Sequence, residues 1–160
     1  MRALLLAIPL LLAASGCCGG YSVVRTTVAS GADLPSEGAS DTPRGSAAAA
    51  FVLHYSRLGE PPNACGSGAQ YLERLWVKVP SIAAGQTHTI GAGGVTAVYS
   101  REEAGAVSRA SSIEGSIRIN EVDGAEVSAT VSISITLPTG DVVTLDDDYD
   151  FHPARAGQGG

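Results

Sequence analysis

The 160-residue chain is short of several things, and each shortage narrows what it can be. Lysine occurs once, at Lys78, and basic side chains number 10 against 16 acidic ones. A surface with that imbalance repels phosphate backbones, which sets nucleic acid aside as a partner. Only one long apolar run is present, residues 3–14, and at 1.5 Å per residue its reach of about 18 Å falls well short of a bilayer core. Helical periodicity is scarce: residues 101–112, REEAGAVSRASS, are the only stretch expected to make a helical turn, with too few apolar positions for a buried helix. Catalytic motifs are wanting as well. There is no His-Glu-x-x-His or Cys-x-x-Cys, CGSGA around Ser67 lacks the outer glycines of a nucleophile elbow, and GAGG lacks the Lys-Ser/Thr of a phosphate loop. No cofactor is implied, and no repeat of fixed period stands out. Apolar residues still make up 44%, enough for one packed domain of this length.

The apolar run follows Met1-Arg2 and ends in small residues, which is the anatomy of an export signal. Its removal leaves nine basic side chains against 16 acidic, a formal charge of -7 rather than -6. The segment LLAASGC, residues 11–17, resembles the lipobox of bacterial lipoproteins. That resemblance implies a diacylglycerol on the Cys17 thiol, cleavage just before it, and acylation of the new amino terminus. Two or three acyl chains, at about 0.8 kcal/mol per buried CH₂, anchor firmly where one holds marginally. The motif departs from the family at Ala14, where Leu is commonest. In Gram-negative relatives an Asp after the lipidated cysteine retains the protein at the inner membrane; here Cys18 follows, which implies the outer membrane. With Cys17 alkylated, Cys18 and Cys65 are the two thiols left in an oxidising compartment. They are a candidate disulfide closing a loop of nearly fifty residues, worth about 4 kcal/mol in the chain-entropy model. The rival reading leaves Cys65 unpaired or paired with another chain.

The expected organisation is a signal peptide over 1–16, a lipid-anchored amino terminus and flexible linker over 17–47, a β-domain over 48–153 and a disordered tail over 154–160. Residues 21–30, YSVVRTTVAS, read equally as a first strand or as extended tether; residues 31–47 are small and polar throughout. From residue 48 the period is two. Phe51, Leu53 and Tyr55 share a face, and Leu75, Val77 and Val79 share another, with Arg74, Trp76 and Lys78 opposite. Residues 87–90 and 95–100 are two shorter strands around the GAGG turn. In EVSATVSISITLP apolar and hydroxyl residues alternate strictly, the signature of a strand with one buried and one wet face. A three-residue loop, Asp123-Gly124-Ala125, sets Ile119 against Ala129, Ile117 against Val131 and Ile113 against Ile135. A second, in LPTGD, sets Val143 against Ile135 and Leu145 against Ile133. The expected fold is all-β: an antiparallel β-sandwich or open barrel of about seven or eight strands with a meandering carboxy-terminal half.

Candidate sites follow from the same registers. Asp146, Asp148 and Asp150 fall on the wet face beside Ser132, Thr130 and Ser128, with Arg118 in the middle row. They are weak candidates for a divalent cation: carboxylates on alternate strand positions stand about 7 Å apart, and the Ca²⁺-loop glycine and glutamate are replaced by Phe151 and Gly157. Their plain role is a solvated face that discourages edge pairing. Asp147 is directed at the core opposite Val131, so a β-bulge that turns it outward is expected. The three histidines, His54, His88 and His152, lie far apart. Trp76, between Arg74 and Lys78, is the one outward aromatic, either a binding hot spot or covered by a second sheet.

Three functions stand on this footing. The first is a lipid-anchored envelope domain, not an enzyme, that binds or joins an envelope protein partner. The second is an inhibitor or immunity-type protein whose acidic face covers a basic enzyme's cleft. The third is a hydrolase whose site, drawn from His54, His88, Asp147 and Ser67, forms only in the fold.

Overall fold

The computed structural model describes residues 22–34, 44–45, 50–60 and 70–154. Cys17, Cys18, Cys65 and Ser67 lie outside them, as does the expected tail beyond Ala154. The described residues contain no helix. Their strands are β1 (Ser22–Ser30), β2 (Ala32–Asp33), β3 (Arg44–Gly45), β4 (Phe51–Gly59), β5 (Tyr71–Val79), β6 (Thr87–Thr89), β7 (Thr96–Glu103), β8 (Ala106–Arg109), β9 (Ser112–Asp123), β10 (Glu126–Thr136) and β11 (Val142–Pro153). Nine of them form one sheet in the order β6-β9-β10-β11-β1-β4-β5-β7-β8, curled into a half-barrel; β2 and β3 pair separately.

The curl follows from the alternation. On β4 and β5 the odd-numbered residues Leu53, Tyr55, Leu75, Val77 and Val79 are buried, and on β9 and β10 so are Ile117, Ile119, Val127, Ala129, Val131, Ile133 and Ile135. All of these belong to one cluster with Val28, Tyr99, Leu145 and Phe151. A single sheet with one apolar face buries it by rolling that face onto itself. The open-barrel expectation is met. The curled sheet is consistent with the sandwich alternative too, but the pattern is not wholly antiparallel: β1 runs parallel to β11, with Thr27 opposite His152 and Val28 opposite Pro153.

The amino-terminal strand is therefore sheet and not tether, and lies inside the domain, between β11 and β4. Within the expected linker, Ala32 and Asp33 pair with Gly45 and Arg44. Residues 101–112 were expected to make a helical turn and instead continue β7, turn at Ala104-Gly105, and return as β8. Both turn residues have positive φ, 50° and 80°, the conformation of a two-residue hairpin whose twist matches its strands.

Both expected hairpin registers hold: Ile119 faces Ala129, Ile117 faces Val131, Ile135 faces Val143 and Ile133 faces Leu145. The first is reached differently from the expected three-residue loop. Glu126 pairs with Asp123 around a two-residue turn, and the extra residue is taken up at Asn120, where the ladder shifts between Ser128 and Ala129. The second loop is the expected Pro138-Thr139-Gly140, closed by Leu137 N–H on Asp141 O at 2.8 Å.

The GAGG corner carries the chain from β6, at one edge of the sheet, to β7 near the other. Gly91 N–H bonds Val95 O at 3.0 Å across it.

Gly115 on β9 has φ 127°, and a Cβ there would lie 2.1 Å from Ser132 O on the paired strand. Neither backbone has room to yield in a continuous ladder. Gly115→Ala is expected to lower unfolding stability by about 2–4 kcal/mol, measured by urea titration, with Gly140→Ala at an open loop costing about 1. Equal, small losses at both positions would show that β9 relaxes away from β10.

Candidate functional site

Three inward-facing charged residues meet at one end of the half-barrel. Arg57 on β4 pairs across the sheet with Glu73 on β5, which pairs with Arg101 on β7. Glu73 is 1% exposed. Its carboxylate accepts from Arg57 Nε at 2.8 Å and Nη2 at 2.6 Å, and from Arg101 Nη1 at 3.4 Å. Arg101 Nη2 also reaches Glu103 at 3.0 Å. Both guanidinium groups lie over the Tyr71 ring, at 5.5 and 4.7 Å from its centre. Burial works against the charge of Arg57, but the charge and hydrogen bond of Glu73 together with the neighbouring Tyr55 and Tyr71 outweigh it and raise the pKa of Arg57. Two cations against two carboxylates leave the cluster neutral, and both arginines keep a quarter or more of their side chains in solvent.

Tyrosines line the next layer inward. Tyr55 meets Tyr149 edge to face at 5.3 Å, and Tyr149 meets Phe151 at 6.4 Å. The Tyr99 hydroxyl is buried near the Glu73 charge without a hydrogen-bond partner of normal geometry. Burial raises the pKa of Tyr55, Tyr99 and Tyr149, and nearby carboxylate charge adds to it. These phenols keep their protons past about pH 10, where free tyrosine ionises, so the fold loses stability as pH rises above that value. Below them an apolar gap of about 10 Å³, bordered by Leu53, Leu75, Val77, Ile117, Val131 and Leu145, has room for roughly one water molecule. Around this gap the described interior is packed with its own side chains.

The outer faces are thus the surfaces open to a partner. On β9–β11 the row Ser128, Thr130, Ser132 and Ser134 runs down the middle. Asp146, Asp148 and Asp150 stand on one side of it, and Glu114, Arg118 and Glu121 on the other. Thr130 Oγ1 donates to Asp148 and accepts from Asn120 Nδ2 at 2.9 Å. Glu126 Oε1 lies 3.2 Å from His152 Nδ1. These six carboxylates and Asp123, the partner of Glu126 across the turn, are all exposed on this face. Among the described residues, no three His, Cys, Asp or Glu side chains are grouped to hold a metal ion, Asp146, Asp148 and Asp150 included. Asp147 sits opposite Val131, as the register requires, but the ladder from Val127 to Thr136 is unbroken, so the expected bulge is absent. Asp147 is exposed without it, and its carboxylate accepts from the Asp148 N–H at 2.9 Å.

Trp76 corrects another expectation. It points away from the main core but is 4% exposed, packed on Val52 with Ala29, Leu34 and Val98 around it. His54 stacks on its ring at 5.0 Å and 9°. It is the centre of a small second core and not an exposed hot spot, and among the described residues Ala29, Leu34, Val52 and Val98 pack around it. Of the hydrolase candidates, His54 is on this outer face, Asp147 is on β11, and His88 is buried on the edge strand β6 opposite Ile117. These three are not brought together.

The ion cluster was missed in the sequence although its signal was present. Glu73 shares parity with Leu75, Val77 and Val79, and Arg57 shares it with Leu53 and Tyr55, so both were already on the inward side. The chain matches no protein-family model, no curated protein and no solved structure.

Removing Glu73 leaves two guanidinium groups facing each other over Tyr71. Glu73→Ala is expected to cost about 2–4 kcal/mol in chemical unfolding, below the usual loss for a wholly buried pair because both arginines still touch water. A loss under about 0.5 kcal/mol would show that solvent replaces the carboxylate in full.

Proposed function

We propose that the chain is a lipid-anchored β-domain of the bacterial cell envelope that acts by binding or as a structural partner. The observation that carries this reading is the filled interior: the half-barrel closes on its own side chains, so recognition falls to its outer faces. The lipobox-like segment supplies the address, with Cys17 as the attachment point. Cys18 in place of Asp favours the outer membrane where the envelope has two. Cys17→Ser is expected to abolish the acyl mass on the mature amino terminus and move the protein from the membrane pellet to the soluble fraction. A variant that still pellets with membranes and carries acyl mass overturns the anchor.

One observation favours the inhibitor or immunity-type reading among binding roles. Glu114, Glu121, Glu126, Asp146, Asp148 and Asp150 share one outer face, where Arg118 and His152 are the basic side chains beside them. A face of that sign steers and holds a basic protein surface. A partner captured through this face should lose about tenfold or more in affinity between 50 and 300 mM salt. Affinity indifferent to salt, or unchanged by Asp148→Asn with Asp146→Asn, counts against this reading.

A further inference from the structure

The other outer face, made by β1, β4, β5, β7 and β8, is ordered in rows. At the rim where β1 begins, the cross-strand partners run Val23, Leu58, Leu72, Glu102 and Val107. Four of the five are apolar, and Val23, Leu58 and Val107 are 48%, 37% and 61% exposed. One row inward, about 7 Å along the strands, the partners run Arg25, Ser56, Arg74, Ser100 and Arg109. Three arginines in one row stand out in a chain whose net charge is -6. The carboxylate within these rows, Glu102, lies 3.6 Å from Arg74 Nη1. Just inside the same rim, Arg57 and Arg101 balance Glu73 and Glu103.

An apolar row followed by a cationic row is the cross-section of a bilayer surface read from the acyl chains outward to the phosphates. We propose that this face docks on the phospholipid membrane, with Val23, Leu58, Leu72 and Val107 at the acyl–glycerol boundary and Arg25, Arg74 and Arg109 level with the phosphates. The inference rests on the lipid-anchor reading. Ser22 follows Cys17 by five residues, so the rim of β1 lies within about 18 Å of the acylated thiol. The anchor therefore delivers the end of the sheet that carries the apolar row. The acidic face of β9–β11 lies across the core from it and is turned away from anionic headgroups.

The test uses the full chain, expressed so that it is processed and acylated, and carried in vesicles of phosphatidylethanolamine and phosphatidylglycerol with brominated acyl chains. Val107→Trp places an indole at an exposed edge position, while Trp76 is closed inside the domain and serves as the internal reference. Docking predicts that the introduced indole loses about half or more of its emission to bromine while Trp76 keeps its own, and that adding Leu58→Glu and Val23→Glu restores the lost emission. Mass spectrometry of the same sample reads the acyl mass on Cys17. Unquenched emission from an acylated chain overturns the docking and leaves the anchor standing. A missing acyl mass overturns the anchor and, with it, the orientation derived from it. Unquenched emission together with a detergent-stable dimer that Val107→Glu splits identifies a second copy of the chain as the occupant and overturns membrane docking.

Discussion

Strand β1 is the one described element hydrogen-bonded to both halves of the sheet, and the fold depends on its contact with β11. On one side it pairs with β4 along its full length, Ser22 opposite Gly59 through Ser30 opposite Phe51. On the other it meets β11 through two residue pairs only, helped by the Thr26 hydroxyl on Asp150 O and by Ala154 N–H on Val28 O at 3.0 Å. β10 pairs with β11 from Val142 to Phe151, and β1 takes up the two residues that follow, His152 and Pro153. Across this joint β9–β11 share one core with β4, β5 and β7, and Tyr55 on one half meets Tyr149 on the other. Without the joint, each half would be an open meander with an apolar face in water.

Local pairing was legible in the sequence, and long-range pairing was not. Strict alternation on β10 fixes which residues face inward, and a buried face tolerates one register only, so the partners of Ile133 and Ile135 follow from arithmetic. The arithmetic does not say how a register is reached. A three-residue loop and a two-residue turn with a bulge at Asn120 place Ile119 opposite Ala129 equally well, and the bulge leaves Asn120 free to bond Thr130. Residues 101–112 misled because Ala104 takes a positive φ that alanine seldom adopts, so the hairpin lacked its usual Asn-Gly signature. The parallel joint of β1 to β11 spans more than a hundred residues, and no local pattern records it.

The site divides the same way. Parity put Glu73, Arg57 and Trp76 on their correct sides, yet parity alone does not report burial. Trp76 faces outward and is still covered, because Leu34 and the neighbouring Val52 and Val98 close over it. Asp147 faces inward and is still exposed. Whether an inward charge is costly depends on its neighbours across two strands. Glu73 is tolerated because Arg57 and Arg101 stand directly beside it in the ladder, so three charged groups that would each oppose burial alone satisfy one another.

Rolling one sheet around one core has an electrostatic consequence. Outer faces of β-strands separated by half the roll point in opposite directions, so charges segregated by strand become charges segregated in space. The carboxylates gather on β9–β11, whereas Arg25, Arg74, Lys78 and Arg109 lie on the outward positions of β1, β5 and β8. A chain with a net negative charge thereby carries a cationic side without any cationic segment in its sequence. Near a negatively charged surface such a domain is oriented by torque before it makes contact, since rotating the carboxylates toward the surface is opposed and rotating the arginines toward it is favoured. On the proposed reading, a tether fixed beside the arginine side and the field of the surface would act in the same direction, and the acidic face would be left pointing outward, open to a basic partner.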